Sequence, residues 1–567
     1  MKPLAYLWKK IRRAPLWTGA GKFLSDPRRQ LVLAWDSART RSSTAFLRRH
    51  PWPAPDQAKT LFVITVGEWV YAIKTEIMLA LGMRLAGWKV VFLVHSRNNV
   101  LNHRYLGHFG FRDLVYWEDF QLEAREEEEI LQEAGRLMEG ELTFPGIKEW
   151  TYRGCWIGPQ ILASVSRLIH RAAFNAADPQ IRETIRRTLV EALRCARRAE
   201  RLYQHISPDA VIVNEPNYAA NAPLVDGAIA KGAKVIHFVQ PARDDGFYLW
   251  VLNSRTRRSH PGSVSAETFA QVLAAPWTAA MDEALTEEFS NRYGGRWYLQ
   301  RRNQAGVRDQ SREEIVARFG FDPEKKLAVV FSHVLWDANL FYGTDLFEDY
   351  GHWLVETVRA AAANSRVNWV IKTHPANVWK LSLDQQRQEL AEEILIRERI
   401  GVLPPHVRLL PPDCDLSVNS LFHSIDYAIT VRGTVGIEFP CFGIPVLTAG
   451  TGRYSDLGIT IDSASRGEYL DRLATIERQP PLDAETILRA KKHAYAAFRL
   501  RPWIVTSFRS RFRNRRWPGD PLDHDARLTV RSIRELCEAE DLRRWAAWVE
   551  SGTSPDYIDD RLLGRKP

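Results

Sequence analysis

Lys372, His374 and Pro375 stand where the apolar run 367–371 ends, and Arg432-Gly433-Thr434-Val435-Gly436 stands where a second run, 427–431, gives way to a helix. A lysine, an imidazole, a guanidinium and two glycines are the chemistry of anion binding. Pro375 holds His374 extended, so the ring leaves the strand toward a cleft, where it can bind a phosphate or assist a leaving group. Gly433 and Gly436 let main-chain N–H groups come close to an anion, Thr434 adds a hydroxyl, and Arg432 matches a phosphate or carboxylate. Glu438, one helical turn after Thr434, is placed to accept from ribose hydroxyls. Ser332 and His333 follow a third apolar run and are candidates to line the same cleft.

An alternation of buried strands and helices must position these groups. After Pro51-Trp52-Pro53-Ala54-Pro55, strand signals cover 61–66, 90–94, 210–213 and 235–239, with helices over 71–86, 118–139, 179–205 and 219–231. From 251 to 322 no strand signal appears. The alternation resumes with strands at 327–331, 367–371, 407–410, 427–431 and 445–447 and helices at 347–363, 385–400 and 435–442. The expected fold is α/β: two doubly wound, Rossmann-like domains facing across a cleft, with a C-terminal helical tail. The expected divisions are a basic amphipathic arm (1–55), a first domain (56–290), a junction (291–325), a second domain (326–490), and a tail (491–567) that crosses back to the first domain. In such sheets ligands bind outside the carboxyl ends of the strands.

A chain of 567 residues with 45% apolar content is long enough for two or three cores. Cys155, Cys195, Cys414, Cys441 and Cys537 show no CxxC spacing, which supports neither a disulfide framework nor a zinc site and fits a reducing cytosol. The net charge is +10, yet residues 1–50 carry 12 of the 78 Lys and Arg against 2 of the 68 Asp and Glu, so the remainder balances. The arm mixes Leu4, Trp8, Ile11, Leu16 and Trp17 with Lys9, Lys10, Arg12 and Arg13, a composition for the interface of an anionic membrane or for a solvated basic tail. After residue 50 no charge block calls for a nucleic acid. No secretory signal stands out, and no apolar run approaches the roughly 18 residues of a membrane span. The expectation is a cytoplasmic protein, peripheral at the inner face of the cytoplasmic membrane through residues 1–50.

Lys372-Thr373-His374-Pro375, Thr434-Val435-Gly436-Ile437-Glu438 and Gly443-Ile444-Pro445-Val446, followed by Gly452-Arg453-Tyr454 and Gly458-Ile459-Thr460, carry a resemblance. Over residues 325–500, and more weakly over 60–95 and 207–250, the chain resembles GT-B glycosyltransferases, which implies a GT-B-like fold with 56–290 as the acceptor domain and 326–490 as the nucleotide-sugar domain. More narrowly, it resembles the bacterial capsular polysaccharide synthesis proteins that include β-Kdo transferases. The resemblance implies that His374 contacts the phosphate of a CMP-activated sugar and that Tyr454 belongs to the donor site. It further implies an acidic keto-sugar such as Kdo as the group transferred, and a capsular or other surface glycan or glycolipid as acceptor. Arg432 departs from the family, where a smaller polar residue is common.

Such a transfer needs a base for the acceptor hydroxyl. Asp244-Asp245-Gly246 is similar to the acidic-acidic-Gly motif of related bacterial sialyltransferases, and Glu68 and Glu215, each just after a strand, are rivals. Asp413-Cys414-Asp415 has Asp-x-Asp spacing but reads as a helix cap, so neither a divalent metal nor another cofactor is expected beside the nucleotide sugar. The alternatives are a sugar-nucleotide epimerase or polyol-phosphate transferase of the same fold, or a non-catalytic factor in surface-polysaccharide assembly.

Overall fold

The computed structural model describes residues 26–50, 52, 56–65, 67, 69–241, 243–303, 306–337, 340–383, 389–512, 520–522 and 524–563. The first apolar runs form β1 (Asp56–Thr65), β2 (Trp88–Val94), β3 (Leu114–Tyr116), β4 (Ala210–Val213), β5 (Lys234–Val239) and β6 (Gly246–Leu252). They lie side by side as β3-β2-β1-β4-β5, all parallel, with β6 antiparallel on β5. Parallel neighbours need long crossovers, and helices supply them. Val70–Leu85 is apolar nearly all round because it is covered on both sides, by the sheet and by the chain's C-terminal segment. Pro179–His205 starts on an Asp178 cap with Pro179 at its first position, and buries Ile185, Leu189, Leu193 and Ala196 while its arginines face outward.

The second sheet contains β7 (Lys326–Phe331), β8 (Val367–Lys372), β9 (Val407–Leu410), β10 (Tyr427–Thr430), β11 (Val446–Thr448) and β12 (Ile461–Asp462) in the order β9-β8-β7-β10-β11-β12, all parallel. Both sheets are doubly wound and GT-B-like. The strand order reverses between β1 and β4 in one sheet and between β7 and β10 in the other, and such a reversal opens the crevice that receives ligands.

Several elements differ from expectation. The stretch after residue 490 is not simply helical: β13 (Trp503–Ile504) pairs antiparallel with β6, and β14 (Phe508–Phe512) and β15 (His524–Leu528) make a hairpin. This segment completes the first domain's core. Trp545 donates from Nε1 to Leu79 O at 2.8 Å and lies flush on Gly82, where a Cβ would stand 2.5 Å from its ring. Arg501, fully buried, donates to the carbonyls of Ser263, Leu249 and Pro261 and pairs with the buried Asp556 at 3.5 Å.

Strand β6 lies where no strand was expected to reach. Its run Phe247-Tyr248-Leu249-Trp250 is apolar without alternation because both faces are covered. The expected helix over 118–139 is a single turn, Trp117–Asp119, followed by Ala124–Leu137, which starts on a Glu123/Glu126 capping box. Val435–Glu438 passes into a tighter turn, Phe439–Phe442, because Pro440 offers no N–H to continue an α-helix. Residues 26–50, read as part of an arm, are helices Pro27–Ser43 and Ala45–Arg49 packed on the first domain. A buried Asp36–Lys74 ion pair of 2.8 Å anchors them, and the Tyr105 hydroxyl donates to Asp36 at 2.5 Å. The apolar-basic mixture at 4–17 lies outside the described residues.

Candidate active site

A cleft of about 330 Å³ opens over the carboxyl ends of β7, β8 and β10, at the reversal of strand order. His260 and the helices Ala279–Tyr293 and Tyr298–Asn303 close it from the other side. Ser332, His333, Lys372, His374, Pro375, Arg432, Gly433, Thr434, Val435 and Glu438, dispersed over more than 100 residues of sequence, all line this one space.

His374 is oriented by its own neighbours. Its main-chain N–H donates to Ser332 Oγ at 3.1 Å, and its Nδ1 accepts from Ala376 N–H at 3.1 Å. With Nδ1 accepting, the ring hydrogen is assigned to Nε2. Burial, and then the neighbouring Lys372 charge, push the imidazole down to about 4, so His374 is a neutral hydrogen-bond donor at pH 7. Ser332 donates in turn to Glu392 Oε1 at 3.1 Å, which also accepts from Asn377 at 2.8 Å; burial pushes this carboxyl up to about 7.

Lys372 sits at the end of β8, only 6% exposed, with its ammonium 3.3 Å from Cys414 Sγ and no carboxylate ion pair among the described residues. Arg453, in the loop after β11, shares that condition. Its Nη2 lies 2.9 Å from His260 Nε2, its buried Nε has no partner, and burial lowers the pKa of its guanidinium. A buried cation without a counter-ion is costly, and an anionic ligand removes the cost. Lys372 and Arg453 therefore make the cleft an anion site. The Thr434 and Val435 N–H groups, which meet no acceptor among the described residues, face the same space.

Three expected donor contacts have structural partners instead. Arg432 is 2% exposed and neutralised by Asp345 at 2.5 Å, with further bonds to Tyr350 Oη and the carbonyls of Thr451 and Thr344. Its charge holds two loops together. Glu438 is fully buried, with Oε1 accepting from Arg292 at 2.7 Å and Oε2 from Tyr293 at 2.5 Å, so it ties the Ala279–Tyr293 helix to the second domain. Tyr454 is 1% exposed and lies under the turn, donating to Gly433 O at 2.9 Å. Gly436 is needed there because a Cβ would fall 2.1 Å from the Tyr454 ring. His333 stacks on Tyr350 at 4.3 Å and accepts from Val431 N–H at 3.3 Å, while burial holds it neutral.

The four carboxylates considered as bases separate clearly. Asp244 accepts the Tyr298 N–H with both oxygens, at 2.9 and 3.1 Å, and so sets the start of the helix that carries Gln300 and Asn303 into the cleft. Asp245 is gripped by Arg243 at 3.0 and 3.1 Å. Glu68 lies outside the described residues. Glu215, at the carboxyl end of β4, has no hydrogen-bond partner among them; its side chain is accessible, yet the surrounding protein raises its pKa, and Arg167 and Lys380 temper the rise. Its charge also raises the pKa of Tyr342, a residue that lines the cleft, although Glu215 itself does not line it.

Asp415 pairs with Arg308 at 3.1 Å and Arg318 at 2.5 Å, and Ser417, not Asp415, caps the following helix, so the expected capping role of Asp-x-Asp is not found. No group of three His, Cys, Asp or Glu among the described residues is arranged to hold a metal ion. Arg453, His260, Gln300, Asn303 and Tyr342 are cleft residues that no sequence pattern marks as a site. Only Arg453 stood inside a quoted motif, Gly452-Arg453-Tyr454.

At the far end of the cleft, Val307, Pro412, Leu416 and Val418 form an apolar slot beside Gln300 and Asn303. The space therefore grades from an apolar slot with amides, through Lys372 and His374, to the polar end at Arg453, His260 and Tyr342.

No family model matches the chain, and no curated protein matches it in sequence. Among solved structures the chain is similar to Thermosulfurimonas dismutans KpsC, a β-Kdo 2,4 transferase, at 14% identity over 52% of this chain and 80% of that one, with a TM-score of 0.30. It is also similar to the UDP-GlcNAc 2-epimerase of Neisseria meningitidis bound to UDP-GlcNAc, at 11% identity over 77% and 97% of the two chains, with a TM-score of 0.25. A third, the glycosyltransferase VinC in complex with dTDP, is 14% identical over 77% and 95%, with a TM-score of 0.22. Likenesses this distant carry no argument about activity.

Proposed function

We propose that the protein is a glycosyltransferase that moves an acidic sugar from a CMP-linked donor, a keto-sugar such as Kdo, to a hydroxyl of a surface glycan or glycolipid. The observation that carries this is the pair of cleft cations, Lys372 and Arg453, that have no carboxylate counter-ion among the described residues.

The assignment follows the cleft from end to end. The slot of Val307, Pro412, Leu416 and Val418 takes the base, with Gln300 and Asn303 for its polar edge. Lys372 and the His374 Nε2–H hold a single phosphate. One ammonium and one neutral donor suit a monophosphate better than a diphosphate, which favours CMP. Arg453 remains for a carboxylate on the sugar, which favours an acidic one.

The acceptor oxygen bonds to the anomeric carbon as the bond from that carbon to the phosphate oxygen breaks. The hydroxyl proton passes to Glu215, and the electron pair leaves with CMP, whose developing charge Lys372 and His374 stabilise. These protein groups take the part a divalent ion plays elsewhere, so activity should survive chelation.

Titration calorimetry with CMP-, UDP- and GDP-sugars tests the donor assignment, with CMP-sugars expected to bind and the binding expected to be lost in Arg453→Met for donors that carry a carboxylate. Absence of heat with every nucleotide would sink the proposal, and isomerisation of UDP-GlcNAc without acceptor would replace it with an epimerase.

A further inference from the structure

Away from the cleft, the helices Pro27–Ser43 and Ala45–Arg49 and the β14–β15 hairpin wall a groove of about 1040 Å³. Arg39, Arg49, Arg509, Arg527 and Arg531 line it with His50, and no carboxylate does. Among the described residues Arg527 pairs with Asp525 at 2.5 Å, and the guanidinium groups of the other four arginines have no carboxylate partner there. Across Ala45 a second groove of about 620 Å³ adds Arg41, Arg48 and Arg104, again without a lining carboxylate. Arg48 donates to the carbonyls of His108 and Arg41, both at 2.8 Å, and not to an acid. The field of this cluster reaches His108, whose imidazole is pushed down to about 4 by burial and then by Arg48, Arg41 and Arg104.

Two facts make this arrangement informative. Beyond residue 50 the chain has equal numbers of acidic and basic residues, so the fold itself has brought Arg509, Arg527 and Arg531 beside the arginines of residues 26–50, nearly 500 positions earlier. Second, Leu31 and Trp35 are 62% and 55% exposed on the same helix as Arg39, whose guanidinium lies 5.3 Å over the Trp35 ring. Their spacing puts Arg28, Leu31, Trp35 and Arg39 on one stripe.

We infer that this face is where the folded protein docks on an anionic lipid bilayer, with the arginines on headgroup phosphates and Leu31 and Trp35 in the interface. Arginine alone would suit any polyanion, but a nucleic acid or a free acidic glycan leaves Leu31 and Trp35 in water. A membrane interface takes up both kinds of side chain. The hairpin links the face to the cleft, since Phe512 at the end of β14 stacks on Tyr298, two residues from Gln300, with ring centroids 6.0 Å apart. The inference is independent of the chemistry proposed for that cleft.

Co-sedimentation of the full chain with vesicles of phosphatidylcholine, with and without 30% phosphatidylglycerol, tests it. At about 1 kcal/mol per arginine near the surface, Arg509→Gln/Arg531→Gln should weaken binding to the anionic vesicles about 30-fold. Leu31→Ser/Trp35→Ser should weaken the part of the binding that persists in high salt. All four positions are accessible, and unchanged melting temperatures would show that the variants fold; Arg531→Gln alone provides a milder second variant. Equal binding to neutral vesicles, or no loss in either arginine variant, overturns the inference. So does binding to duplex DNA that competes with vesicles while Leu31→Ser/Trp35→Ser has no effect, which would make the face a general polyanion site.

Discussion

Replacing Lys372 by methionine should move two properties in opposite directions. In the ligand-free protein the residue is 6% exposed, its ammonium bonds to Cys414 Sγ, and it has no carboxylate ion pair among the described residues, so it bears a desolvation cost that no described counter-ion offsets. Methionine fills a similar volume without that cost, and Lys372→Met should stabilise the empty protein by about 1–2 kcal/mol. With donor bound, the missing charge faces a phosphate. At about 4 Å and an effective dielectric of about 20 the lost attraction is about 4 kcal/mol, of which desolvation returns up to about half, so affinity should fall about 30- to 1000-fold. Thermal melting of the apo protein reads the first effect and calorimetric titration of CMP reads the second. A lysine kept for structure would give the reverse pattern, a lower melting temperature with unchanged CMP affinity, and that result would refute the reasoning.

Glu215→Gln should lower turnover by about 10²- to 10⁴-fold while CMP affinity stays unchanged, and because the carboxyl pKa is raised, the wild-type rate should fall on acidification at a pH above the ordinary carboxylate range; a pH–rate profile shared by both proteins would contradict this. Arg432→Ala leaves Asp345 with only the longer Lys148 pair of 4.0 Å among the described residues and should cost about 3 kcal/mol in a denaturant titration, so its first effect is on folding and not on donor affinity. Gly436→Ala should be destabilising by about 1–3 kcal/mol through collision with Tyr454, and Tyr454→Ala in the same chain should recover part of the loss. Burial pushes the Glu76 carboxyl up to about 8, well above its unfolded value of about 4.3. The stability it contributes is therefore complete below that unfolded value and is lost as pH rises toward 8, so Glu76→Gln should stabilise the protein more at pH 8 than at pH 5, as read from denaturation midpoints.

The strand ends that carry the site were legible because buried parallel strands read as continuous apolar runs, and Lys372, His374 and Gly433 mark where two such runs stop. Strand β6 obeys the same rule, yet its apolar run 247–252 straddled the start of a stretch that looked irregular. The two-residue β13 is too short for any periodicity, and it is specified by pairing with β6 more than 250 residues earlier. Side-chain roles were less legible than positions. Arg432 and Lys372 look alike as cations at strand ends, and only the presence of Asp345, 87 residues from Arg432, makes one a brace and leaves the other open to a ligand. Asp244 stood in a motif but is absorbed by the Tyr298 amide, whereas Glu215 stood in none and has no hydrogen-bond partner among the described residues.

Mass spectrometry of the acceptor tests the central claim most directly. Full-length protein, CMP-Kdo and a surface-glycan acceptor should give one molecule of CMP for each acceptor that gains one Kdo residue, with chelator present and with the yield abolished in Lys372→Met. CMP release without any gain in acceptor mass, or an equal yield from Lys372→Met, would contradict the account.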